Sequence, residues 1–557
     1  MSIERAIDRT LAAWVRRRTG SDVLARAAAC VSRDEALGHS CAVLGGDVDF
    51  SPADIAELQR QAWVGDGTRF APFVLDATDA FYTWRNWQHE SRLSASLRAR
   101  AGHVSMPSDV DDLFAGTDAD EQRAAVAAVQ GSRLLVVTGG PGTGKTSTAM
   151  RMIAMAARVT NPLSVALAAP TGKAAQRLTE AVAASRARLL ETLPSDFPFR
   201  TAIDTLPALR AQTLHRLLDY RPHENTFARN ADSPIAADLI VVDETSMVDL
   251  AMMRQLFDAV RADAQIILLG DPRQLYAVEA GSVLGDIVTS AEEGGALAEN
   301  VVPLTRVWRA QGGLHAALDA LRGGDLGWVD TLLATHGNDA VRCLPCTDAA
   351  SLKTNVEQWM HSHADIFRRL LIDQPEPGEA LRLLRHLQIL CALRETPFGS
   401  VGVNALVTRT LAQRFGIDAT SPWYPGRPVI VTRNDYARGL FNGDVGVALR
   451  DESGIRVWFE TADRNGQPVL RSFSARSLSE HETAWAITIH RSQGSEYGRV
   501  AVVLPPDSAH RILSRELLYT AVSRATDGVE LWSTPDALRA AVGNPIRRRG
   551  GLRERLR

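Results

Sequence analysis

The stretch Gly139-Gly140-Pro141-Gly142-Thr143-Gly144-Lys145-Thr146 decides how this chain is read. It fits G-x-x-x-x-G-K-[ST], the pattern of a phosphate-binding loop. Residues 134–137 before it form an apolar run of buried-strand type, and a helical pattern opens at Lys145 and runs through Met152 and Ile153. Strand, glycine turn, helix is the order the physics requires. Glycines let successive backbone N–H groups curl inward onto phosphate oxygens, and the helix start adds partial positive charge. Lys145 is placed to reach the β- and γ-phosphates of ATP, and the Thr146 hydroxyl to hold Mg²⁺. The competing reading is a glycine-rich turn with a chance lysine. Composition argues against it: of 62 Lys and Arg residues, only Lys145, Lys173 and Lys353 are lysine. One of the three ammonium groups fills the slot where a compact cation must approach phosphate.

At 557 residues the chain predicts several domains and a large core. A net charge of −3 excludes a global basic field, so any nucleic-acid surface must be a local patch. Five cysteines is a low, odd count that points to a reducing compartment. Cys343-Leu344-Pro345-Cys346 is a lone C-x-x-C with no second pair or His cluster, which favours solitary loop thiols over zinc. Ile3, Ile7, Leu11 and Trp14 follow helical spacing among charges, unlike a signal peptide, and no apolar run approaches a membrane span. The expectation is a soluble cytoplasmic protein.

Around the phosphate loop, further strand–turn–helix units recur. Residues 1–105 carry helical spacing and an aromatic-dense stretch, Phe81-Tyr82-Thr83-Trp84-Arg85-Asn86-Trp87. It reads as core, with a partner-docking surface as the alternative. Gln122, ahead of the loop strand, has an amide able both to donate to and to accept from adenine, although a plain helix start explains it equally. Ala169-Pro170-Thr171-Gly172-Lys173 ends a strand and opens a helix without a metal-binding Asp, which suits a nucleic-acid backbone better than a second ATP. Thr213-Leu214-His215 is a similar polar pair. The apolar run 239–242 ends in Asp243-Glu244, delivering one acid to Mg²⁺ and one beside the γ-phosphate. Residues 266–270 lead to Asp271-Pro272-Arg273-Gln274, whose uncharged Gln274 amide can sense a γ-phosphate. From about 423 to 480, short strand patterns alternate with turns such as Asn442-Gly443-Asp444, predicting a small antiparallel barrel between α/β elements. The run 547–549 with Arg553, Arg555 and Arg557 reads as a solvated basic tail.

Together these motifs resemble superfamily 1 helicases of the 5′→3′ branch, and most closely the RecD family, the α subunits of bacterial RecBCD helicase–nucleases. The resemblance spans about 118–530 and includes GGPGTGKT, APTGKAA, TLHRLL, VVDETSMVD, GDPRQL, LCALRETPFG, LFNGDVG, HETAWAITIHRSQGSE and RELLYTAVSRA. It implies an α/β fold of two RecA-like P-loop domains. A helical N-terminal partner-docking domain (1–105) precedes them, followed by domains at 106–345 and 346–557, the second carrying a small SH3-like β-barrel insertion. It also assigns roles. Gln122 reads adenine; Gly139 to Thr146 cradle phosphate, with Lys145 and Thr146 as ligands; Asp243 binds Mg²⁺ and Glu244 is the catalytic base. Gln274 is the γ-phosphate sensor, Arg309 and Arg524 are arginine fingers, and Glu496 lies near the ribose. Thr171, Lys173, His215, Thr488 and His490 fall in motifs that hold single-stranded DNA. Two departures stand out: Arg491 replaces a usual lysine, and Trp308-Arg309-Ala310 differs from the usual ending of its motif.

The activity implied is an ATP-dependent DNA helicase, the motor of a heterotrimer with RecB-like and RecC-like subunits acting at duplex ends in double-strand break repair and recombination. The alternatives are a stand-alone RecD-like helicase and a non-catalytic ATP-binding scaffold. No nuclease site is expected. Lys145 belongs to ATP, Lys173 to the DNA-backbone turn, and Lys353 has no acid cluster beside it.

Overall fold

The computed structural model describes the chain except residues 1–4, 46–49, 104–109, 115–118, 161, 195, 309–311, 419, 436–437, 453, 463–467 and 479. Two parallel sheets organise it. The first has the strand order Val301–Leu304, Leu134–Gly139, Gln265–Gly270, Leu239–Val242, Val165–Ala169, Ala211–Thr213. Its central strands are buried along their whole apolar length, as a parallel sheet covered on both faces requires. Their side chains alternate between two cores. Leu135, Val137, Val241 and Ile267 enter one, while Leu134, Val136, Ile240 and Ile266 enter the other. The register pairs Val242 with both Leu268 and Ala168, and Gly270 with Thr138. Every turn that follows these strands therefore opens on one carboxyl edge, where ligands of such sheets bind.

The second parallel sheet runs Val341–Pro345, Ala525–Ser533, Tyr497–Val503, Leu387–Cys391, Ala486–Thr488. Val341–Pro345 pairs with Ala525–Ser533, and the helices Gly313–Gly323 and Leu326–Thr335 pack Leu318, Leu321 and Val329 into the same core as Leu517 and Leu531. A boundary at 345 cuts off this edge strand and its helices, so the second α/β unit begins ahead of Gly313. Cys343 lies in that strand, not in a loop, and Cys346 in the loop just after it; both are buried, and burial pushes them up to about 11 and about 12. No two of the five cysteines form a disulfide, and all five are buried.

The insertion is a five-stranded antiparallel sheet ordered Pro468–Ser474, Gly454–Ala462, Val445–Asp451, Pro428–Val431, His481–Thr483. It has its own core of Val429, Val431, Val457 and Phe459. The N-terminal unit departs from the all-helical expectation. Beside its helices it carries a four-stranded sheet, Ala42–Val43, Ala80–Thr83, Phe73–Leu75, Val64–Gly65. Strands of two to four residues are too short to show alternation in sequence. Its last helix, Trp84–Arg98, inserts Leu93 and Leu97 into the first domain's core.

The basic C-terminus is not a solvated tail. Arg548 donates to the carbonyl oxygens of Glu279 and Gly281 at 2.6 and 2.7 Å and lies over the Tyr276 ring. Gly551 N–H donates to the buried Glu90 carboxylate at 3.0 Å. The helix Leu552–Leu556 then buries Leu552 and Leu556 in the first domain's core, and Arg557 pairs with Glu293 at 2.7 Å. Among the described residues no helix is long and apolar enough to cross a membrane.

Candidate nucleotide site and nucleic-acid channel

The phosphate loop joins Leu134–Gly139 to the helix Lys145–Val159. Gly142 and Gly144 take φ of +75° and +87°, a region that Cβ disfavours. A Cβ on Gly144 would also stand 2.4 Å from the Gln122 amide nitrogen. That amide is buried and donates to the Thr143 carbonyl oxygen at 3.1 Å, holding Gln122 against the loop. Lys145 Nζ donates to the carbonyl oxygens of Gly139 and Gly140 at 2.6 and 2.9 Å.

Thr146 Oγ1 donates to Asp243 Oδ2 at 3.1 Å, so the two expected Mg²⁺ ligands touch. Burial first, and then the Glu244 charge, pushes the Asp243 carboxyl up. Glu244 itself has φ +54°. A non-glycine residue in that region is strained, and such strain gathers at functional positions. Gln274, on the turn after Gln265–Gly270, donates through Nε2 to Asp271 at 3.2 Å. Its Oε1 is buried without a hydrogen-bond partner, a cost normally met by a ligand or water.

Arg524 reaches this place from the second sheet's side. It is buried, and its guanidinium donates to the carbonyl oxygens of Thr520 and Ser495 at 3.2 and 3.3 Å. One cavity of about 730 Å³ is lined by Gln122, Pro141, Gly142, Gly144, Lys145, Thr146, Asp243, Glu244, Gln274, Glu496 and Arg524, whereas Thr143 is buried and does not line it. Gly139 and Gly140 meet it only through the Lys145 bonds, and Arg309 lies outside the described residues. The residues present fit a Mg²⁺–nucleotide: an orphaned amide oxygen, a glycine turn with no room for Cβ, and a hydroxyl–carboxylate pair.

Sequence reasoning missed Arg177. It lies on the helix Gly172–Thr192, pairs with Glu496 at 3.1 Å and donates to the Gly494 carbonyl oxygen at 2.7 Å, joining the two domains beside the cavity. Its place one helical turn beyond Lys173 was the available signal. A second link runs through Leu275, next to Gln274. Its N–H donates to Thr520 Oγ1 at 2.9 Å, and its carbonyl oxygen accepts from Gln493 at 3.2 Å. Tyr519 Oη also donates to Asp271 at 3.1 Å.

A second cavity, about 620 Å³, opens on the far side of this link. Thr171, Lys173, His215 and His490 line it, together with Asn442 and Gly443 from the insertion. Thr488 does not line it; it forms the N-cap of the short helix Ile489–Ser492 that carries His490. Thr171 Oγ1 caps the helix Gly172–Thr192 by accepting from Ala174 N–H at 3.2 Å. Burial, and then Arg177, lowers Lys173 to about 8. His215 packs against Tyr220 and Phe227 at 5.4 and 5.9 Å, and burial lowers both it and His490.

Two parallel α/β domains that close one phosphate-loop cavity between them, with a second channel across their carboxyl edges, define a P-loop ATPase of helicase type. Comparison with known proteins agrees: residues 122–280 match the AAA domain family, and residues 483–531 the UvrD-like helicase C-terminal domain. The RecBCD enzyme subunit RecD of Mycolicibacterium smegmatis is 39% identical over 489 residues, covering 86% of this chain and 82% of that protein. The RecBCD enzyme subunit RecD of Mycobacterium tuberculosis is 37% identical over 516 residues, covering 91% and 84%. The ATP-dependent RecD2 DNA helicase of Deinococcus radiodurans is 31% identical, over 86% of this chain but only 56% of that protein. The chain belongs to the RecD family.

Proposed function

We infer that this chain is an ATP-dependent 5′→3′ DNA helicase, the motor subunit of a RecBCD-type helicase–nuclease with RecB-like and RecC-like partners. The observation that carries the reading is the shared cavity. Lys145, Thr146, Asp243, Glu244 and Gln274 enter it from the first domain, and Arg524 from the second. A non-catalytic scaffold has no use for a strained Glu244 and a buried finger arginine. The subunit reading is favoured over the stand-alone one by similarity, since the M. smegmatis RecD subunit is 39% identical and the RecD2 helicase 31%.

In this mechanism Gln122 holds the adenine and the loop N–H groups cradle phosphate. Thr146 and Asp243 would hold Mg²⁺, which would supply positive charge to offset that of the phosphates. Glu244 orients and accepts a proton from the attacking water. Arg524, with Arg309 as the second finger, stabilises charge on the leaving phosphates when the domains close. Gln274 reports the γ-phosphate, and Leu275 carries that state to Thr520 and Gln493 across the interface. Thr171, Lys173, His215, Thr488 and His490 grip the strand. The insertion is an SH3-like barrel that borders the channel through Asn442 and Gly443 and separates the duplex.

The test is ATP hydrolysis by the full chain with and without saturating single-stranded DNA. Wild type should be strongly DNA-stimulated, and Lys145→Gln should be inactive while remaining folded. Hydrolysis by Lys145→Gln close to wild type refutes the assignment.

A further inference from the structure

The channel has a wall that the helicase motifs do not supply. Arg85, Asn86 and His89 of the N-terminal unit line the same 620 Å³ cavity as Lys173 and His215. All three lie on the helix Trp84–Arg98, where Arg85 and His89 stand one turn apart on one face. This is the aromatic–arginine stretch that otherwise reads only as core or docking surface.

The helix is fixed to the first domain. Besides Leu93 and Leu97 in the core, Arg92 pairs with Asp258 at 3.1 Å. Just past the helix, the buried Arg100 guanidinium donates to the carbonyl oxygens of Val260, Arg261 and Ala264 at 3.1, 2.7 and 2.8 Å. The wall therefore travels with Lys173 and His215. Asn86 is committed, its amide donating to Glu35 at 2.8 Å and to the Ser40 carbonyl oxygen. Arg85 is different: its side chain is 69% exposed and touches Glu35 at 3.2 Å. Burial, and then the charges of Arg254, Arg85 and Arg92, lowers His89 to about 4 and leaves it a neutral ring. The lining carries Arg85, Lys173 and Arg491 against Asp249 and Glu279. Without Arg85, cations and carboxylates would be equal in number, a poor surface for a polyanion.

We propose that the N-terminal unit is part of the DNA site: Arg85 binds a phosphate of the single strand, and His89 presents its ring to the adjoining base or sugar. This rests on the reading of the channel as the DNA path. It makes the N-terminal unit a third wall, facing the insertion, in addition to any docking role of its other faces.

The test measures oligo(dT) binding to the full chain by fluorescence anisotropy across salt concentrations. One lost phosphate contact to a single strand changes the salt slope by about 0.7, which is about a fourfold loss of affinity at 0.15 M salt. Arg85→Ala should show both changes, and Arg85→Glu a larger loss. Because a charge beside Glu35 can disturb docking of the unit, a second variant, Arg85→Cys, is labelled with maleimide. The five native cysteines are buried, so the introduced thiol dominates, and bound oligo(dT) should slow its labelling. Unchanged affinity and slope in Arg85→Ala, or labelling at the same rate with DNA bound, overturns the proposal. Lys173→Gln separates this from the underlying reading. If it binds as tightly as wild type, or wild type binds no DNA, the channel assignment fails and the third wall with it.

Discussion

Replacing Arg524 with alanine should abolish turnover while leaving nucleotide binding nearly intact. The guanidinium enters the cavity from the second domain and is held by carbonyl oxygens of Thr520 and Ser495 and by Ser523 Oγ at 3.0 Å. It is therefore positioned before any ligand arrives, and little reorganisation accompanies catalysis. One unit of charge at about 4 Å, in a medium of effective dielectric about 20, is worth about 4 kcal/mol. At about 1.4 kcal/mol per decade this is about a thousandfold in rate, the lower end of what arginine fingers supply. Arg524→Lys should recover little, because an ammonium keeps the charge but cannot keep the forked hydrogen bonds. Single-turnover hydrolysis at saturating single-stranded DNA gives the rate, and a fluorescent ATP analogue gives the affinity. A rate within tenfold of wild type, with affinity unchanged, would show that Arg524 serves only the fold.

Two further outcomes follow from other parts of the structure. In the proposed DNA site Lys173, lowered to about 8, would bind phosphate in its charged form, which is complete below that value and lost as pH rises through it. Oligo(dT) affinity should thus fall between pH 7 and 9, and Lys173→Arg should remove most of that fall; a pH-independent wild type contradicts this. Leu552 is 1% exposed in the first domain's core, so Leu552→Ala should cost about 3 kcal/mol locally. Faster amide hydrogen exchange in the helices Leu552–Leu556 and Val283–Glu292 would report it, and unchanged exchange would show that the C-terminal helix is not an anchor.

The gathering of the proposed nucleotide-site residues around one cavity was legible because they sit on short contiguous motifs at strand ends. A glycine loop, an acid pair and Gln274 each follow an apolar run, and parallel register brings them to one edge. What escaped was non-local. The Arg177–Glu496 pair joins residues from different domains, and neither has a motif that announces the other. The C-terminus reads as basic and solvated by composition, yet Leu552 and Leu556, four apart, are a one-turn apolar face, and Glu293 answers Arg557. The start of the second domain was placed too late because its first strand, Val341–Pro345, is an edge strand with exposed positions, not a continuous apolar run. The helix Trp84–Arg98 likewise belongs to two units at once. A truncation at residue 105 would remove Leu93 and Leu97 from the first domain's core, so it cannot isolate a docking role.

The central claim is that hydrolysis in the cavity between the two domains drives the chain along a single strand from 5′ to 3′. Streptavidin displacement from end-biotinylated oligonucleotides tests it directly. The full chain with ATP should strip streptavidin from the 3′ end much faster than from the 5′ end, and Lys145→Gln should strip neither. Preferential displacement from the 5′ end, or displacement that survives Lys145→Gln, would contradict the account.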